Sequence, residues 1–235
     1  MRALLTIAVT VGTGLLAGPA HAQMLGVPVL QNAFYNPGIT VAANYGTGDH
    51  ISAYGGAAAW APGSGRLVLS GGAGAYKPSG GSSQFTWGGR LSLPIYQLMG
   101  GSAGVALFGG IGGANASVPT ATPECVPALD CFGSSTTRVS VLRVPAGAAL
   151  GYRAAFAGRG ASLYVAPFYG WSRVSVSGGS SANAAQFRVS VGADVAVLPS
   201  VGLTVGYETG ATAKNGDPGP TGGLFGVGLS YALRR

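Results

Sequence analysis

The sequence predicts an all-β chain closed into one antiparallel transmembrane β-barrel of about ten strands, with eight as the alternative. Three observations predict it. Charged residues make up only 8% of the 235, against about 25% in ordinary globular domains, so a charged surface does not face the solvent. Beyond Gln23 no apolar run reaches the roughly 18 residues of a membrane-crossing helix. Segments of period-two alternation instead recur from Gly38 to Leu233 between turn-forming clusters, and lipid-facing residues that alternate with lumen-facing ones never accumulate in a run.

The N-terminus reads as an export signal over residues 1–22. Arg2 is its positive start, Ala3 to Leu16 an uncharged apolar stretch, and Ala20-His21-Ala22 a small-residue site for cleavage before Gln23. Gly12, Gly14, Gly18 and Pro19 interrupt the stretch, which is too short for a span of about 20 residues. Residues 23–235 then form the barrel domain.

The first strands are expected over Ile39 to Tyr45, Ile51 to Trp60, Leu67 to Tyr76, Gln84 to Leu93 and Ser102 to Gly113. In the fourth, Phe85, Trp87 and Leu91 share a face opposite Gln84, Thr86 and Arg90. Arg138 to Arg153 reads as one long strand in which Pro145 and a change of phase near Val141-Leu142 predict a bulge. Ala161 to Val176 follows. The last three are the cleanest: Gln186 to Val197, Val201 to Thr209 and Phe225 to Leu233 each alternate an apolar residue with a small or polar one. Glycine, at 43 residues, lets strands curve and relieves crowding inside a narrow barrel.

The connections support the count. Outer-membrane barrels have short periplasmic turns and longer outer loops. With the first strand running outward, the long segments Ala114 to Thr137, Ser177 to Ala184 and Gly210 to Gly222 fall outside, and Ala61 to Gly65 and Leu198-Pro199-Ser200 inside. Pro94 to Gly101 is long for an inner turn.

Gly-rich alternating strands behind a cleavable signal, the phrase Leu150-Gly151-Tyr152-Arg153 and the final Gly226-Val227-Gly228-Leu229-Ser230-Tyr231 resemble the outer membrane protein β-barrel superfamily, the small opacity-type and OmpA/OmpX-type barrels. The resemblance implies a bacterial outer-membrane location, insertion by the barrel assembly machinery, and surroundings of outer-membrane lipid and lipopolysaccharide. Such barrels usually end on an aromatic residue; here the alternation ends on Leu233, followed by Arg234-Arg235.

The chemistry the residues offer is sparse. His50-Ile51-Ser52 is the one His-Ser neighbourhood after the signal. Outer-membrane lipid-A deacylases use a similar His-x-Ser pair with an acid, for which Asp49 or Glu208 would serve. The bland reading, a chance tripeptide at a loop-strand boundary, is preferred, and no catalytic residue is expected. The inward candidates Arg90, Arg188, Asp194 and Glu208 suit an ion-pair network filling the lumen better than a pore constriction, because buried charges need partners. Inward Ser70, Gly72 and Gly74 leave room for water, so a small-solute channel stays as the alternative. Trp60, Trp87, Trp171, Tyr45, Tyr76, Phe168 and Tyr169 are read as interfacial or apolar-face aromatics, although in a soluble ligand-binding barrel the same residues would form the core.

Cys125 and Cys131, in one polar Pro-containing segment, read as a local disulfide of an exported protein. The net charge of +7 is scattered singly, which argues against nucleic acid. No metal-ligand cluster or phosphate-cradling loop calls for a metal or cofactor. The functional expectation is a barrel of structural, adhesive or surface-interaction type without catalytic activity, its surface ligand unspecified.

Overall fold

The computed structural model describes residues 37–48, 51–63, 66–78, 82–98, 102–119, 136–156, 159–179, 181–210 and 223–233. The expected export signal and the Cys125–Cys131 pair lie outside them, as do Asp49 and His50. Ten strands follow in chain order: β1 Gly38–Gly48, β2 Ile51–Ala61, β3 Val68–Pro78, β4 Gln84–Leu98, β5 Ala103–Pro119, β6 Thr136–Phe156, β7 Arg159–Val176, β8 Ser181–Leu198, β9 Val201–Gly210 and β10 Leu224–Leu233. Each pairs antiparallel with its chain neighbours, and β1 pairs with β10 from Ile39↔Leu233 to Thr47↔Phe225, which closes the barrel.

The alternation read from the sequence becomes an outside and an inside. Ile39, Val41, Leu69, Leu91, Leu107, Leu150, Leu163, Leu203 and Leu229 all project outward and are exposed. Between them Thr86, Arg90, Ser92, Ser190, Thr204 and Glu208 are buried in the lumen. Apolar out and polar in is the reverse of a soluble domain and fits a lipid surround. The soluble-barrel reading, which needs the apolar face inside, is thereby corrected.

Three local expectations change. Pro145 causes no bulge: the β5–β6 register runs Gly109↔Ala146 and then Gly112↔Arg143, the same offset on both sides, and Pro145 still faces Gly170 of β7. Lacking an N–H, the proline interrupts pairing with β5 without shifting the alternation. The bulges lie at the short-turn end, between Pro94 and Tyr96 on β4 and between Ala196 and Leu198 on β8. There β4 continues through its bulge to Leu98, so the inner turn that looked long spans only residues 99–102.

The third change concerns length. β1, β2 and β3 have 11 residues each and β9 and β10 have 10, whereas β5, β6, β7 and β8 have 17, 21, 18 and 18. A tilted strand crosses a bilayer in about 9–11 residues. The surplus is at the long-loop end, where β4–β5 pairing stops at Thr86↔Ala114 and β8–β9 pairing at Arg188↔Gly210. β5 to β8 continue upward, pairing through Pro119↔Thr136 and Ser175↔Ser181. The sequence reading ended β5 at Gly113 and began β8 at Gln186 because Ser, Asn and Ala dominate those two extensions, whereas on β6 and β7 it reached Arg138 and Val176, where Val139, Val141, Val174 and Val176 still alternate.

Glycine makes room for the large inward side chains. Phe168 lies across from Gly147, Tyr164 across from Gly151 and Gly192, and Arg188 across from Gly210. A Cβ on Gly147 would fall on Phe168 and one on Gly192 on the Tyr164 ring, while one on Gly210 would lie 2.7 Å from Arg188 Cγ. The intact barrel should keep an anomalous mobility in dodecyl sulfate until boiled, since no strand edge is free to unzip. Gly147→Leu should lower the temperature of that mobility change, as overpacking of a filled interior costs about 1–3 kcal/mol; an unchanged temperature would refute the packing argument.

Candidate functional site

The most structured part of the lumen is a belt of charged and aromatic side chains from β4 to β9. Arg188 of β8 donates from Nε to Glu208 Oε1 of β9 at 2.6 Å. Arg143 of β6 donates from Nη2 to the same oxygen at 3.2 Å. All three side chains are buried, Arg188 at 0%, Glu208 at 1% and Arg143 at 4% relative exposure. One carboxylate oxygen of β9 therefore gathers two guanidinium groups from β6 and β8, strands that are not neighbours, tying this side of the wall together. Such a charge is retained inside only because partners compensate its desolvation.

A stack of guanidinium and aromatic groups continues the belt. Arg90 of β4 lies 4.2 Å from the ring centroid of Phe108 on β5. Phe108 and Phe168 of β7 are 6.1 Å apart and inclined at 58°, and Arg143 sits 5.6 Å from the Phe168 ring. These separations are within the range of cation–π and tilted aromatic pairs. Arg143 settles over Gly170, where a Cβ would come within 3.3 Å of its Nε and Nη2. Its Nε and Nη1 have no hydrogen-bond partner, so Glu208 carries the hydrogen bonding of this guanidinium.

All four sequence-predicted inward residues face the lumen, but only Arg188 and Glu208 bond to each other. Arg90 joins through the ring of Phe108. Asp194 lies nearer the short-turn end, where Thr204 Oγ1 donates to its Oδ1 and Ser162 Oγ donates to its Oδ2 at 3.2 Å. Sequence reasoning missed Arg143, Phe108 and Phe168. An unbroken odd-position count through Val141, Arg143 and Pro145 would have placed Arg143 inside; the expected change of phase hid it. Phe168 was assigned to the apolar outer face and is instead 3% exposed within the lumen, and Tyr76 shares the inward face of β3 with Ser70 and Gly74. Tyr45, Trp60, Trp87, Tyr169 and Trp171 do project outward.

Below the belt, at the short-turn end, the lumen opens into a chamber of about 500 Å³. Thr40, Ala42, Ala57, Ala59, Val68 and Ser230 line one side, and Arg153, Ser162, Asp194 and Thr204 the other. Of the His-Ser reading only the Glu208 option falls within the described residues, since Asp49 and His50 lie outside them. Ser52 pairs with Thr47 on the outward face of β1 and β2, whereas Glu208 points inward and is held by two arginines, so the barrel wall separates hydroxyl and carboxylate. Among the described residues no group of three metal-ligating side chains occurs.

Glu208→Gln should lower the boiling-shift temperature by the equivalent of about 3–5 kcal/mol, the usual consequence of breaking a buried pair. Adding Arg188→Met should recover part of the loss, because it removes a charge left uncompensated. A double variant weaker than the single one would show that Glu208 acts by packing alone.

Comparison with known proteins places this geometry. No curated protein matches the chain. Among solved structures it is similar to the outer membrane protease OmpT from Escherichia coli, at 9% identity and a TM-score of 0.42, over 86% of this chain and 99% of that one. It is also similar to the β domain of the Bordetella autotransporter BrkA, at 14% identity and a TM-score of 0.34, over 83% and 98%. The family model of the outer membrane protein beta-barrel domain matches residues 9–232. With its closed ten-stranded sheet and apolar exterior, the chain belongs to the outer membrane protein β-barrel family and resides in the bacterial outer membrane.

Proposed function

We propose that this barrel is a non-catalytic surface-interaction protein, of structural or adhesive type, that presents the sheet formed by the upper parts of β5 to β8 outside the cell. The observation that carries the reading is the change of character along the outer face of those strands. Up to Trp171 and Leu142 the face is apolar. Above them come Arg173, Ser175, Ser140, Arg138, Asn115, Ser181 and Asn183. Ser140 Oγ donates to Asn115 Oδ1 at 2.9 Å, and Arg173 Nη2 to Ser181 Oγ at 3.4 Å. Polar pairs on an outward face belong in water, so the sheet has left the hydrocarbon there. Its cations, Arg138 and Arg173, suit the anionic head groups of lipopolysaccharide at its base. Insertion relies on the barrel assembly machinery, as for the rest of the family.

The absence of catalysis is supported by the separation of Ser52 from Glu208. The channel reading has the chamber in its favour, but the belt of Arg90, Phe108, Phe168, Arg143, Glu208 and Arg188 fills the lumen above it. In planar bilayers the protein should give no stable current steps, and Phe108→Ala with Phe168→Ala should produce them. Steps from the unaltered protein would establish the channel instead.

The orientation is tested on intact cells, with Cys125 and Cys131 changed to Ser. Asn183→Cys should react with a membrane-impermeant maleimide and Ser200→Cys should not; the reverse pattern would turn the extended sheet toward the periplasm and end the surface-interaction proposal.

A further inference from the structure

On the outward face of β7 the apolar residues run from Leu163 through Val165, Pro167 and Tyr169 to Trp171, a stretch that matches the roughly 9–11 residues with which a tilted strand crosses hydrocarbon. The next outward residue, Arg173, therefore stands where acyl chains give way to head groups. It is level with Leu142 of β6 and Asn183 of β8. Two residues higher, Asn115, Ser140, Ser175 and Ser181 lie side by side across β5 to β8. Arg138 of β6 is outward again two residues above Ser140. At about 3.3 Å per residue and a tilt of about 45°, Arg138 is about 13 Å further along the strand than Leu142 and about 9 Å higher above the hydrocarbon.

Both arginines are exposed on this face and meet whatever molecule lies against the wall. Arg173 Nη2 donates to Ser181 Oγ at 3.4 Å, a bond that orients the group and uses one of the five N–H donors of a guanidinium. Such a fork matches the oxygens of a phosphate or carboxylate. The hydroxyl and amide groups between the two arginines offer the donors and acceptors that sugar hydroxyls need. The vertical spacing decides between lipids. The head-group layer of a phospholipid leaflet is only about 5–8 Å deep, so a phospholipid would reach Arg173 and leave Arg138 above it. Lipopolysaccharide carries phosphates on its sugars at the hydrocarbon boundary and further acidic sugars above them, so it presents anionic groups at both levels. Among the described residues the other outward cation at this end is Lys77 of β3, whose outward neighbours along the strand are Ala75 and Ala73.

We infer that the outward surface of β5 to β8 between Arg173 and Arg138 is a binding site for one lipopolysaccharide molecule, with Arg173 on a lipid A phosphate, the row from Asn115 to Ser181 on sugar hydroxyls, and Arg138 on an acidic group of the inner sugars. The inference rests on the reading that places this sheet outside the cell, and it names the partner at the base of that sheet.

The test titrates the processed protein, freed of bound lipid in mild detergent, with a deep-rough lipopolysaccharide consisting of lipid A and its inner acidic sugars, and reads binding by native mass spectrometry. Arg138→Ala and Arg173→Ala should each weaken binding about fivefold and together about thirtyfold, the effect of basic residues at an anionic lipid surface, while Lys77→Ala should change it less than about twofold. With the unaltered protein, enzymatic removal of the lipid's phosphates should also cost about fivefold. An unchanged affinity in the double variant or for the dephosphorylated lipid would overturn the inference. So would an equal loss in Lys77→Ala, which means attraction by charge alone, or phosphatidylglycerol binding as tightly as lipopolysaccharide. Retention of the boiling shift by each variant establishes that closed barrels are compared. The micelle affinities test the site whichever way the sheet faces in the cell; a reversed Asn183→Cys labelling, by contrast, would remove the sheet from lipopolysaccharide and end the surface reading and this inference together.

Discussion

A strand in hydrocarbon finds no water for its N–H and C=O groups, and everything else in this protein follows from that requirement. An open sheet would leave two such edges in lipid. Pairing β1 with β10 removes both, and closure then fixes which residues see lipid and which see the lumen. The low charge of the sequence is the outward consequence of this constraint, since the surface that would carry charge in a soluble domain is covered by acyl chains.

Inside, the constraint becomes one of volume. A ten-stranded barrel is too narrow for large side chains from every strand and too wide to be filled by small ones. The structure divides the work: β4 to β9 contribute Arg90, Phe108, Arg143, Tyr164, Phe168, Arg188 and Glu208, whereas the inward positions of β1 and β2 are mostly alanine, glycine, threonine and asparagine. Glycines beside the large residues are the complement of that division. Glu208 is shared between Arg143 and Arg188, and the ring faces of Phe108 and Phe168 add to the stabilisation of Arg90 and Arg143.

The strand count, the inside-outside assignment of the last three strands and the inward direction of Arg90, Arg188, Asp194 and Glu208 were legible in the sequence, because each rests on period-two alternation alone. What was not legible depends on departures from it. Pro145 looked like a break, yet a proline removes a hydrogen bond without altering the direction of the next side chain. The bulges at Ile95 and Val197 leave no mark in composition. Phe168 could not be distinguished from an interfacial aromatic, since hydrophobicity is the same on either side of a wall one strand thick. The joining of Arg143 to Glu208 links β6 with β9 across two intervening strands and has no local signature at all.

The order of the strands also bears on how the protein comes into being. Nine of the ten pairings join segments adjacent in the chain, and only β1 with β10 brings distant ones together. Sheets built from local contacts assemble faster than those that depend on remote ones, so hairpins can accumulate one after another with little loss of loop entropy. The final pairing is different in kind: it must hold the two ends of a nearly complete sheet in register over nine residue pairs. Assembly of this barrel thus has a natural commitment point, before which the chain is a growing ribbon with two reactive margins and after which it has none.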